Sequence, residues 1–237
     1  TAYEIRPRDW SSDVCSSDLR AARGRPSQGN SLERIVEGIT YMRQRPILFG
    51  AISLDLFAMF LGGTTALLPI FARDILHTGP WGLGFLRTAP AMGAAAVALI
   101  LARWQLRRHT GAVMFACVAM FGLATIVFGV SSDFYVSFAA LAVTGAADMV
   151  SVYVRSALIQ LATPDHMRGR VGSVNSLFIG ASNELGEFRA GMTAGMFGTV
   201  PAVALGGLGT MAVVGLWMWL FPPLRRVDRF SEVTVAE

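Results

Sequence analysis

Six long apolar segments dominate the chain, and short polar loops that carry arginines separate them. The segments are 47–71, 81–102, 112–130, 134–161, 176–198 and 201–221. Each approaches the roughly 20 residues that a helix needs to cross a hydrocarbon core about 30 Å thick. Helices on the surface of a soluble protein carry a polar stripe that faces water, and these segments have almost none. The pattern predicts an all-α membrane protein with six transmembrane helices.

The arginines predict the orientation, because positive charge near the end of a span resists translocation. They cluster before the first span, in the second and fourth loops, and after the last span. The charged residues of the first and third loops are only Arg73, its neighbour Asp74, and Asp133. We therefore expect a multi-pass protein of the bacterial inner (plasma) membrane with both ends in the cytoplasm.

Composition agrees with this class, since 53% of the residues are hydrophobic and only 15% are charged. The net charge of +4 follows from the topology and calls for membrane lipid rather than a nucleic acid as partner. The three histidines lack metal-ligand spacing, and the sequence has no glycine-rich phosphate loop and no nucleophile elbow. The sequence thus predicts no enzyme, no cofactor and no metal site.

The chain divides into four parts. Residues 1–19 look like a translated sequencing adapter, which we expect to be disordered and exclude from the fold. Residues 20–46 form a predicted cytoplasmic linker, in which apolar positions at helical spacing over 31–42 indicate a short amphipathic helix. Residues 47–222 are the membrane domain, and 223–237 are a cytoplasmic tail.

The fifth predicted span is unusual because it carries Asn183, Glu184, Glu187 and Arg189 within seven residues. Three charges facing lipid would cost roughly 8–10 kcal/mol, so this helix must face a polar cavity or protein. The two glutamates are three residues apart and share a helix face. They fit either a proton carrier or a structural ion pair with Arg189 or another arginine.

Four further charges lie inside predicted spans. Asp148 and Arg155 are two helical turns apart and could line one cavity, with Asp148 the better candidate site and Arg155 near enough to the cytoplasm to snorkel. Asp55 and Arg87 fit either a fixed interhelical ion pair or interface anchoring, or else a substrate or gating role, and Asp55 is a candidate for the substrate or proton pathway. Glycines such as Gly93, near Pro90, predict close helix packing elsewhere.

A short loop and four segments around it carry a family resemblance. The loop 163–171 contains Pro164, Arg168, Gly169 and Arg170, and resembles the P-x-x-x-R-G-R signature of major facilitator superfamily transporters. The flanking segments resemble the enterobactin-exporter-like branch of that superfamily; they are 52–57, 68–74, 145–151 and 182–188. The loop 103–111 departs from the superfamily pattern, since it has arginines but no aspartate.

The resemblance implies that this chain is the C-terminal six-helix half of a twelve-helix bundle, with the missing N-terminal half as its partner. It also implies proton-coupled efflux of a small molecule, siderophore-like or amphiphilic, by alternating access. Asp165, Arg168 and Arg170 would form a cytoplasmic gate. Two alternatives stay open: a non-transporting membrane module such as a receptor or assembly factor, and a six-helix half-transporter that acts as a homodimer.

Overall fold

A computed structural model describes residues 31–104 and 109–226, and every regular element in those residues is helical. The chain divides into two units, Thr1–Arg34 and Ile35–Glu237. The adapter-like residues 1–19 lie outside the described part of the chain. So do the rest of the linker up to residue 30, residues 105–108 and the tail after residue 226.

The described residues form eight main helices in chain order. They are α1 (Ser31–Arg43), α2 (Pro46–Gly62), α3 (Pro80–Arg103), α4 (Thr110–Val130), α5 (Phe134–Ala162), α6 (Asp165–Phe197), α7 (Thr199–Leu220) and α8 (Pro222–Arg226). Helix α1 is short and lies at the segment predicted to be amphipathic. The all-α membrane fold predicted from the sequence is confirmed.

Among the described residues, five stretches are long and apolar enough to cross a membrane. They are Pro46–Ile75 and the helices α3, α4, α5 and α7. Helix α6 has 33 residues and is long enough, but it is not among the five. The predicted fifth span lies in this helix, where Glu184, Glu187 and Arg189 lower its apolar character. A helix of this kind must turn its charges toward protein or an aqueous cavity.

The first predicted span, 47–71, is not one continuous helix. Helix α2 ends at Gly62, and the chain resumes as a tight helical turn at Thr65–Leu67, a short turn at Leu68–Ile70 and a wide turn at Phe71–Ile75. Two successive glycines favour this interruption because glycine loses more backbone entropy in a helix than other residues. Pro69 adds to it, since proline has no amide hydrogen to donate. The predicted span 47–71 lies within the apolar stretch Pro46–Ile75, and its helix is interrupted after Gly62, which hydropathy alone does not predict.

Two glycines bring helices α3 and α5 into backbone contact. On α3 and α5, a side chain at Gly93 would collide with the carbonyl of Ala142, and one at Gly145 would collide with the backbone of Pro90. By contrast, Gly195 of α6 has open space where a side chain would be. Small residues allow close approach of membrane helices only where the structure places a neighbour opposite them.

The apolar core consists of three clusters of buried side chains. One joins α2, α4, α5 and α7, and its largest members include Leu54, Met114 and Leu158. A second surrounds the wide turn at Phe71–Ile75 with residues of α3, α4, α5, α6 and α7. The third packs α1 and the start of α2 against α5 and α6. Polar side chains lie between the first two clusters.

Candidate functional site

A cavity of about 260 Å³ opens where the first span is interrupted. Gly62 to Thr65 form one wall, and α3, α4, α5 and α6 supply the others. Four of the sequence-predicted residues line it: Arg87, Asp148, Asn183 and Glu187. Irregular backbone at membrane depth is tolerated where it lines a cavity or is buried in protein. The break and the polar lining therefore belong to one feature.

The charges in this cavity come from three different helices. Arg87 of α3 contributes a positive charge, while Asp148 of α5 and Glu187 of α6 contribute carboxylates. Arg87 was predicted to form an interhelical ion pair. Among the described residues, however, no carboxylate lies within ion-pair distance of its guanidinium. Its charge is therefore available to polar groups inside the cavity.

Glu184 lies outside the cavity. Its side chain is exposed, and it is not part of the lining, although Glu187 is. Residues three apart on a helix are offset by about 60° around the axis, so only one of the two glutamates points at the break. The prediction that both share one functional face is not supported by this arrangement.

Asp55 and Arg155 form a buried ion pair between α2 and α5. Their side chains are only 6% and 4% exposed, and the Ser151 hydroxyl donates a hydrogen bond of 3.2 Å to Oδ1 of Asp55. Arg155 therefore does not snorkel to the cytoplasm, because a carboxylate inside the bundle neutralises its charge. The expectation that Arg155 and Asp148 share one cavity is also corrected, since Arg155 lines neither cavity.

A second, small cavity lies between Asp55 and Asp148. Its volume is about 10 Å³, which is about the space that one water molecule needs. Met59 and Phe121 line both this cavity and the large one. The buried ion pair is therefore separated from the main cavity by a narrow space that borders both aspartates.

An interhelical ion pair was one prediction for Arg189, but among the described residues no carboxylate lies within ion-pair distance of its guanidinium. Its guanidinium donates hydrogen bonds to two backbone carbonyls at the end of α2, with lengths of 2.9 Å to Phe60 and 2.5 Å to Leu61. The last carbonyls of any helix lack partners within that helix. Hydropathy did not indicate this contact, because it does not show that α2 ends inside the first predicted span.

The predicted gate residues lie at the junction of α5 and α6. Arg168 contacts Asp165 at 2.9 Å and donates a hydrogen bond of 3.0 Å to the carbonyl of Gln160, in the last turn of α5. Arg170 contacts Glu37 of α1 at 2.6 Å. Arg168 therefore joins the start of α6 to the end of α5, and Arg170 joins α6 to α1. Neither arginine lines the large cavity.

Comparison with known proteins places the chain in a family. The family described as transmembrane secretion effector, a branch of the major facilitator superfamily, matches residues 27–235. The chain is 27% identical over 209 residues to the multidrug efflux pump Tap of Mycolicibacterium fortuitum, covering 85% of this chain and 49% of that protein. It is 29% identical over 199 residues to Tap of Mycobacterium tuberculosis, covering 82% and 46%.

A third relative is the Na(+), Li(+), K(+)/H(+) antiporter of Planococcus maritimus. It is 26% identical over 158 residues, covering 65% of this chain and 36% of the antiporter. The chain thus spans about half the length, or less, of the curated relatives it matches. No solved structure matches it significantly. The family match covers most of the chain, and the chain therefore belongs to the transmembrane secretion effector family of the major facilitator superfamily.

Proposed function

We propose that the chain forms one six-helix half of a secondary active transporter that exports a small molecule by alternating access. The observation that carries this proposal is the charged cavity at the interrupted first span. In transporters, discontinuous helices form substrate and ion sites near the middle of the bilayer. The break at Gly63 falls near the middle of the 30-residue stretch Pro46–Ile75.

The open face of α6 supports a further helical partner. Phe188, Met192 and Met196 are each more than 50% exposed there, and no atom lies near the open positions at Gly191 and Gly195. Glycines four apart allow a second helix to approach closely. We assign this face to the N-terminal half of the transporter, with both ends of the present chain in the cytoplasm.

Proton coupling is proposed to use Asp148 and Glu187. Both are half-buried carboxylates in one cavity, and each proton that binds there removes a negative charge near Arg87. Charged groups in a space of low polarity interact strongly, so protonation would change the affinity for a charged substrate. The name of the Planococcus maritimus relative, a cation/H(+) antiporter, supports the proton as the coupling ion.

The substrate is proposed to be a siderophore-like or amphiphilic compound. Two relatives are named multidrug efflux pumps, and the cavity combines apolar side chains such as Met59 and Leu68 with charged ones. At the cytoplasmic end, Arg168 and Arg170 with Asp165 are proposed to form a gate. Their contacts to a helix terminus and to carboxylates can form or break as that side closes or opens.

Flux through proteoliposomes tests the proposed function. Vesicles holding the full-length gene product are given a pH gradient, and movement of ethidium, a fluorescent amphiphilic cation, is recorded together with internal pH. We expect proton-dependent ethidium movement, and we expect Asp148→Asn to slow it by about tenfold or more. Tenfold corresponds to about 1.4 kcal/mol, a modest loss for a charge removed from such a site.

The alternatives predict different results in the same assay. A homodimeric half-transporter would show flux with the present chain alone, together with crosslinked dimers. A receptor or assembly factor would show no flux of ethidium or protons in either form. Flux that is insensitive to Asp148→Asn would contradict the proposed proton pathway.

A further inference from the structure

The end of α2 depends on a residue from another helix. Within a continuous helix the carbonyls of Phe60 and Leu61 would accept from the amides of residues 64 and 65. The amide of Gly63 makes the last regular helical bond, to the carbonyl of Met59, and the chain then turns away, so the amides of residues 64 and 65 do not reach Phe60 and Leu61. Arg189 of α6 supplies the two missing donors. The interruption is therefore completed by a side chain about 130 residues away in the sequence.

The guanidinium suits this position for two reasons. Its planar fork presents two donors in fixed directions, which a lysine ammonium does not. Its positive charge also complements the partial negative charge at the C-terminal end of α2. Gly206 of α7 leaves the space, since a side-chain carbon there would lie 2.6 Å from the Leu61 oxygen and 3.3 Å from the Arg189 guanidinium. Three helices thus meet at this contact.

The contact lies behind the cavity wall. Arg189 is not part of the lining, but Gly62, Gly63 and Thr64, which follow directly on its two acceptors, are. Glu187, two residues before Arg189 on α6, lines the cavity from the other side of the helix. One turn of α6 therefore presents a carboxylate to the cavity and a cation to the backbone that forms the cavity wall.

We propose that Arg189 is a positioning residue that holds the interrupted helix in place and so sets the shape of the cavity wall between Gly62 and Thr65. It acts through the backbone of α2 and does not touch the transported molecule. Its importance for transport rests on the proposed function, but its effect on the wall does not.

Cysteine labelling needs no substrate, so it measures the effect of Arg189 on the cavity wall separately from any effect on transport. In a background with Cys15→Ser and Cys117→Ser, Thr64→Cys reports on the wall, and Asn183→Cys reports on the opposite, helical lining. Labelling by a water-soluble maleimide is measured in the purified full-length chain, with and without Arg189→Gln. Circular dichroism and gel filtration verify that each variant is folded.

Glutamine is shorter and has neither the guanidinium fork nor its charge, so Arg189→Gln removes the two-point contact that holds the end of α2. We expect labelling at position 64 to rise by about tenfold, the change that corresponds to losing about 1.4 kcal/mol of local stabilisation. Labelling at position 183 should stay within about twofold, because α6 keeps its own backbone hydrogen bonds. Equal changes at both positions would show general loosening of the bundle and would overturn the proposal, as would no change at position 64.

Two further variants keep the test decisive. Arg189→Lys keeps the charge but loses the fork, so we expect partial restoration, with labelling at position 64 between the parent and Arg189→Gln. If Arg189→Gln does not fold, parent-like labelling in Arg189→Lys overturns the proposal, and raised labelling supports it. Arg73→Gln, at an exposed arginine in the other part of the same span, is the matched control and should leave labelling unchanged. Ethidium flux is recorded separately, so absence of transport cannot be mistaken for absence of the contact.

Discussion

The buried pair of Asp55 and Arg155 gives a sharp prediction about stability. In Arg155→Met, the Asp55 carboxylate would remain in a site where its side chain is only 6% exposed, and among the described residues the Ser151 hydroxyl would still donate a hydrogen bond to it. Breaking a buried pair in this way costs about 3–5 kcal/mol, since the charge left behind is neither solvated nor neutralised. Asp55→Leu should cost a similar amount because it leaves Arg155 buried and unpaired.

The double variant Asp55→Leu/Arg155→Met should behave very differently. Replacing a buried ion pair by apolar side chains of similar size is often neutral or stabilising. We therefore expect the double variant to be more stable than either single variant. The losses of unfolding free energy in the two single variants, added together, should exceed the loss in the double variant by about 6 kcal/mol or more. Arg73→Met at the exposed Arg73–Asp74 pair is the control and should cost less than about 1 kcal/mol.

The free energy of unfolding can be measured in mixed micelles by titration with a denaturing detergent, followed by circular dichroism and tryptophan fluorescence. A single variant whose free energy of unfolding lies within about 1 kcal/mol of the parent would refute this prediction, because leaving a buried charge unpaired costs more than that. Additive effects in the double variant would equally refute it, because two groups that do not interact show no coupling.

Two further predictions follow from the helix contacts. Gly145→Ala should destabilise the bundle by about 1–3 kcal/mol in the same titration, because its methyl group would meet the backbone of Pro90. In the present chain without an N-terminal half, Gly195→Ala lies at an open helical position and should instead be neutral or up to about 1 kcal/mol stabilising. Equal effects of the two variants would contradict the packing described for α3 and α5. Arg168→Ala should lower efflux by the full-length protein while leaving folding intact, because its pair with Asp165 is largely exposed and worth less than about 1 kcal/mol. Normal expression with unchanged flux would remove Arg168 from the gate.

The overall class could be predicted from the sequence because it depends on length and polarity alone. Long apolar segments have few alternatives to crossing a membrane as helices. The charges of the fifth predicted span also indicated, by their insertion cost, a helix that faces protein or a polar space. Helix α6 accordingly supplies Asn183 and Glu187 to the cavity.

The partners of individual charges could not be predicted, because they depend on how each helix is rotated about its own axis and on where each helix ends. Spacing alone placed Glu184 with Glu187, whereas only Glu187 lines the cavity. It did not join Asp55 to Arg155, which lie on different helices 100 residues apart. An ion pair with a carboxylate was one prediction for Arg189, but its acceptors are two backbone carbonyls at the end of α2. They are exposed by a break in the helix that hydropathy does not show.

If the cavity at the helix break carries the coupled proton, two glutamates on one helix should differ in their effect on transport. Glu187 lines that cavity and Glu184 does not. The pH dependence of gradient-driven ethidium flux should be measured for Glu187→Gln and Glu184→Gln in the full-length protein. We expect a flattened pH profile for Glu187→Gln and a parent-like profile for Glu184→Gln. A parent-like profile for Glu187→Gln, or equal flattening in both variants, would exclude this cavity as the site of the coupled proton.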